Sequence, residues 1–376
     1  MLPPRPRARR VWFGLLGAAV FVAAVFASTV QGQGGTPPSE ANHFIATPAG
    51  WVHPKTPWGD PDLQGMWPIS YVGSVPLERC AGGGRGREGA PPCDLNKAFL
   101  TEQEYQERLK AAGQQPDRHA QAIAEGNFGR ALLSGVTDPT SVQRQTSLIV
   151  DPPNGKLPEL TPEGKRLSAR MKSSWAAAGE TNQTWDGPED FDTWDRCITR
   201  GMPSSMFPFR YNNGVQIMQV PGYVILNMEM IHEARMVPVD GRPAVSPAIK
   251  AWMGESRGHW EGHTLVIVTT NFKAGASMTN IGVMGSPAGN RMPTSEQMKI
   301  TERLTRLNND FILYEIKTED PIVLTRPWTA RFPLKLDPKY EWWEYACHEG
   351  NRTIPDYVHT SRAERAKAAR GASSTP

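Results

Sequence analysis

The feature that most constrains this chain is the two-residue rhythm that sets in after position 210. Val215 to Val220 and Tyr223 to Met230 flank Pro221-Gly222, a turn pair, so the two runs predict a hairpin. His232 to Val237 continues to a turn at Asp240-Gly241, and Trp260-Glu261-Gly262 leads into Thr264 to Phe272. Past a Gly-rich loop over 273 to 295, Gln297 to Leu307 and Phe311 to Thr318 are joined through Asn308, Asn309 and Asp310. Trp328, Ala330, Phe332, Leu334 and Leu336 alternate with Thr329, Arg331, Pro333 and Lys335, and Glu341 to Cys347 reads as the last strand. A period of two puts alternate side chains on one face, so each run predicts a strand with one buried side. A parallel sheet would need crossover helices, and no helical period interrupts this region. The expectation is a mainly β domain over 185–355, an antiparallel meander curling into a barrel or a sandwich.

Helical signals lie earlier, between 100 and 180. Thr101 to Glu104 has the form of a capping box, predicting a helix to about Ala112. Thr161 followed by Pro162 opens a second, expected to reach about Ala178 before Gly179. Residues 62–184 thus predict a loop-rich, α-helical cover that contributes a first strand. The stretch 33–61, rich in Pro, Gly and small polar residues, reads as a tether with little structure, and 356–376 as a polar tail.

The amino-terminal residues give an address. Arg5, Arg7, Arg9 and Arg10 precede an uncharged run from Val11 to Val30 with small residues after it, the pattern of a signal peptide over 1–32. An uncleaved membrane anchor is the alternative; both place the remainder in the periplasm or outside the cell. Four cysteines, Cys80, Cys93, Cys197 and Cys347, favour disulfides in such a compartment, and none forms a CxxC pair. Three pairings are open. The preferred one joins Cys80 to Cys93, stapling a Gly-rich loop, and Cys197 to Cys347, tying the start of the sheet region to its end. Without the leader's arginines, basic and acidic residues nearly balance, so charge calls for no nucleic acid, and a membrane enters only through an uncleaved leader.

Two resemblances follow from short motifs. Gly65-Met66-Trp67 has the glycine-x-tryptophan form that opens the first strand of lipocalin-like barrels, where the ring covers one end, and Gly258-His259-Trp260 repeats it. Trp252-Met253-Gly254-Glu255-Ser256-Arg257-Gly258-His259-Trp260-Glu261-Gly262 followed by Thr264-Leu265-Val266 resembles a large family of uncharacterised exported proteins common in soil bacteria. Thr56 to Gly65, Arg196-Cys197-Ile198, Thr325-Arg326-Pro327-Trp328 and Tyr345 to Asn351 add to that likeness, which spans 56 to about 355. It departs at His263, where an aspartate is expected before the Thr-Leu-Val strand. The resemblance implies export and no particular activity.

Chemistry-bearing residues are sparse. Glu344 and His348 are four apart on an expected strand, as are Glu302 and Arg306 on another. If both faces are interior, the four form a charged cluster in an apolar wall, expensive unless paired or used for a ligand. Glu229 and Arg235 share a strand face as a ligand-binding pair or a structural ion pair, with His232 opposite. His232 or His348 beside a carboxylate such as Glu344 is the candidate general base. Trp252 and Trp260, with Trp328, Trp342 and Trp343, line an apolar pocket or simply fill a core. His259 and His263 flank a turn and read as surface residues. Ser204-Ser205 offers a nucleophile without an evident partner. No phosphate loop, GxSxG elbow or HExxH occurs, so no cofactor and no metal are expected. The first expectation is an exported protein binding a small, largely apolar or ring-shaped ligand. A cofactor-free isomerase, lyase or hydrolase, and an envelope scaffold without a small-molecule site, are the alternatives.

Overall fold

The computed structural model describes residues 45–80, 93–114, 120–121, 123–126, 141–172, 174, 184–209, 211–275 and 292–372. The leader expected over 1–32 lies outside them. Ten strands build two antiparallel sheets: β1 (Gly65–Met66), β2 (Ile149–Asp151), β3 (Val215–Val220), β4 (Tyr223–Met228), β5 (Glu233–Pro238), β6 (Glu255–Glu261), β7 (Thr264–Thr270), β8 (Lys299–Arg306), β9 (Phe311–Glu319) and β10 (Trp328–Lys335). The order is β1-β3-β4-β5 in one sheet and β2-β10-β9-β8-β7-β6 in the other. The meander is therefore real, and it splits between β5 and β6. Among the described residues the sheets do not close into one barrel, so the molecule is a sandwich.

Alternation decides the interior. Val215 and Ile217 on β3, Val224 and Leu226 on β4, Ile300 and Leu304 on β8, Ile312 and Ile316 on β9, and Phe332 and Leu334 on β10 share one buried cluster. Two different contacts join the sheets at their margins. On one side the amide of Asp337, just past β10, donates to the carbonyl of Met66 on β1 at 2.9 Å. On the other, β5 and β6 touch through side chains, with no backbone ladder between them among the described residues. Gly258 makes that seam possible: a Cβ there would lie 2.8 Å from one methyl of Val239 and 2.9 Å from one of Val237. Trp67 is fully buried at one end, its indole donating to Leu63 O at 2.9 Å, with the Arg306 guanidinium 5.5 Å above the ring.

Three α-helices with defined bounds among the described residues stand outside the sheets. Helix α1 (Glu102–Gly113) carries the expected capping box: Glu104 N donates to Thr101 Oγ1 at 3.3 Å and Thr101 N to Glu104 Oε2 at 2.8 Å. Helix α2 (Pro162–Ser168) ends well before Ala178; past it Lys172 turns to bind Asp190. Residues Thr353–Ala372, read from sequence as tail, form α3. An apolar foot explains it: Val358 packs with Trp185 and Phe191, and Trp185 N donates to Ser361 Oγ at 3.0 Å.

Other expectations are corrected. Glu341 to Cys347 is irregular and mostly exposed, whereas β6 is a strand that sequence alternation hides because Gly258 and charged residues interrupt it. The segment 45–61 is no loose tether. Gln219 on β3 binds Leu63 N and Pro61 O, Asn308 binds Ala46 O, and the rings of His53 and His263 stack with centroids 3.8 Å apart and planes 2° apart. The described residues of 62–184 contribute two edge strands, β1 and β2, where one was expected. Both preferred disulfides form, Cys80–Cys93 and Cys197–Cys347, with Cα separations of 5.8 and 5.7 Å.

Candidate functional site

The charged residues that matter meet inside the seam. Strand β5 presents Glu233, Arg235 and Val237 inward by its period of two, and β8 presents Ile300, Glu302 and Leu304 from the opposite sheet. Arg235 crosses the gap to Glu302: Nη1 donates to Oε1 at 3.0 Å and Nη2 to Oε2 at 2.5 Å, with both side chains buried. Tyr314 stands opposite Leu304 across the β8–β9 ladder, close enough for its hydroxyl to donate to Glu302 Oε1 at 2.8 Å. Arg235 Nη2 also reaches Ser256 Oγ on β6 and Thr269 Oγ1 on β7, which share a hydrogen bond of 2.9 Å.

Burial works against the Arg235 charge, and the Glu302 carboxylate more than offsets it, so the guanidinium is held above its ordinary pKa. Burial and the neighbouring carboxylate push the Tyr314 phenol well up, leaving it a neutral donor. Beside the pair, burial raises the Glu233 carboxyl, against the lowering pull of the Thr199 hydroxyl, Arg235 and His232; Thr199 Oγ1 donates to Glu233 Oε2 at 2.6 Å. Glu302 accepts from three donors on its two oxygens. Arg235 Nε, by contrast, is buried with no hydrogen-bond partner among the described residues. So are Thr318 Oγ1 and Trp328 Nε1, on directly paired residues of β9 and β10, and Ser204 Oγ. Buried polar atoms are rarely left unpaired, so each such atom calls for an explanation.

Neither same-strand pair expected from sequence, Glu302 with Arg306 or Glu229 with Arg235, forms. Glu302 and Arg235 meet each other, whereas Arg306 lies at the Trp67 end, donating to Asp62 O at 3.0 Å and to Asn308 O at 3.2 Å. Glu344 and His348 lie exposed in the irregular segment, away from the interior, so the cluster of four does not assemble. Glu229 is buried beneath that segment, accepting from Asn212 Nδ2, Gly214 N, Trp343 N and the Tyr340 hydroxyl, so it ties loops together instead of pairing with Arg235. The chain leaves β4 through Ile231 and His232 at φ of 62° and 41°, which turns exposed His232 toward Tyr345 O at 3.1 Å. Trp252 lies under the Lys273 ammonium, 4.4 Å from its ring centre, and Trp260 packs on the core. Sequence reasoning missed Glu233, Ser256, Thr269 and Tyr314 as members of the centre. The signal was present for Thr269, an inward polar residue on the face of Leu265 and Ile267.

Among the described residues no group of three or more His, Cys, Asp or Glu is placed to hold a metal ion. No family model, curated protein or solved structure matches the chain.

Proposed function

We propose that this is an exported protein that binds a small, largely apolar ligand through the β5–β6 seam, with the Arg235–Glu302 centre as its polar anchor. The observation that carries the reading is a complete charged pair, inside an apolar sandwich, beside the one margin where β5 and β6 lack a ladder. Such a pair adds little net stability over well-packed apolar residues, so its presence favours a use. Glu233, Ser256 and Met253 are only partly buried and make the approach from solvent. Export is supported by the basic-then-apolar leader and by two disulfides, which persist in oxidising compartments. No helix among the described residues is long and apolar enough to cross a membrane.

Native mass spectrometry of the protein purified from the secreting host tests the reading. Wild type is expected to carry an adduct that Ser256→Trp, which fills the approach, abolishes and Trp343→Ala, on the exposed segment, leaves. Bare mass from wild type, and no binding in a fragment screen, would sink it. Glu233 favours a second reading, an acid–base enzyme, because a carboxyl raised by burial is suited to donate a proton. A turnover that survives Glu233→Gln excludes it.

A further inference from the structure

We infer that the polar head of the ligand is an uncharged hydrogen-bond acceptor, such as a ketone, ester or ether oxygen, recognised by the spare donors of the seam. The inference rests on the binding role proposed above and follows from counting what the centre has left to give. Indole and guanidinium N–H groups donate only. Glu302, the acceptor, already takes three hydrogen bonds from Arg235 and Tyr314. The unused capacity is Arg235 Nε, with Trp328 Nε1 and the hydroxyls of Thr318 and Ser204 further along.

The register sets Thr318 and Trp328 in one row of the sheet with Ser256 and Thr269, the two residues of that row that Arg235 reaches. Ser256 pairs with Thr269, Thr269 with Ile300, Ile300 with Thr318, and Thr318 with Trp328. One row across five strands therefore carries polar atoms at four positions, and the next row, Gly258, Ile267, Glu302, Ile316 and Ala330, carries only the anchor carboxylate. A guest at the Arg235 end of the first row meets a guanidinium N–H, which can only donate.

Charge separates a neutral acceptor from an anion. The Arg235 cation is already balanced by Glu302 in a two-pronged pair, so a carboxylate guest would bring an unmatched charge into a buried site. It would also approach the carboxyl of Glu233. A neutral oxygen takes the spare N–H without that cost.

Three probes with one ring and different heads decide: indanone, an indane carboxylate and indane itself, titrated into the full-length protein by calorimetry. Indanone is expected to bind about tenfold tighter than the other two, the worth of one well-made hydrogen bond to a charged donor. Arg235→Lys keeps the cation and removes Nε, and is expected to erase that preference, so that indanone and indane bind alike. If that variant does not fold, the wild-type ranking of the three probes decides alone. Tighter binding of the carboxylate, or equal binding of indanone and indane, overturns the inference and leaves the binding role standing. No binding by any probe, together with a bare mass in the native spectrum, overturns both.

Discussion

Arg235 and Glu302 stand or fall together. Replacing Arg235 by Met leaves a carboxylate in the apolar interior, and unfolding in urea is expected to show a loss of about 3 to 5 kcal/mol. Adding Glu302→Leu to the same chain removes the stranded charge and is expected to recover most of that loss. A double variant as unstable as the single one would mean that the pair shapes the seam beyond balancing its own charges. Sequence alone identified both residues as worth watching but assigned each to the wrong companion. The reason is physical: spacing along one strand is visible in a sequence, while the partner across a sandwich depends on how two sheets face each other. Glu229 illustrates the same limit, because its four donors come from 212–214 and 340–343 and none lies on its own strand.

At the scale of elements, β3 to β5 and β7 to β10 were legible because one buried face imposes the period of two. Strand β6 was not, since its inward middle position is Gly258, which contributes no apolar signal and is there so that β5 can press close. Gly258→Ala is expected to cost about 1 to 3 kcal/mol through crowding against Val237 and Val239, and to raise hydrogen exchange at β5 amides more than at β9 amides. Helix α3 escaped notice for a different reason: its helical face is polar apart from a short apolar foot, and only the partner surface at Trp185 and Phe191 makes that foot matter. The segment over 45–61 is held partly by the His53–His263 stack, which yields a pH prediction. Burial, His263 and Arg306 together keep the His53 imidazole below its ordinary value of 6.5, so the folded state takes up its proton later than the unfolded chain. The contribution is therefore complete above pH 6.5 and is lost as the pH falls below it, as the unfolded chain gains protons first. Asp62 and Asp310 lie beside Arg306 and act on its charge in the opposite sense to burial. Proteolysis near residue 50 is expected to quicken below pH 6 in wild type and to lose that dependence in His53→Asn; equal pH profiles for the two proteins would remove the stack from the account.

For the whole molecule, the Cys197–Cys347 bond closes a loop of 150 residues around the sheets. On the chain-entropy account, the paired change to serine is expected to lower unfolding stability by about 4 to 5 kcal/mol, read from denaturant unfolding, and to steepen the slope as the unfolded chain expands. The pairing followed from cysteine positions and compartment, whereas the division into two sheets did not, because a meander looks the same in sequence whether it closes or parts. The far carboxy-terminal position of Cys347 and of α3 has one more consequence. Both fasten the stretch that begins at Trp185, the latter through Val358 and Ser361. During synthesis, that stretch waits with a bare indole and a lone thiol until the final tenth of the polypeptide has emerged. Chains cut short before position 347 would carry both marks on their surface, ready to be recognised and discarded.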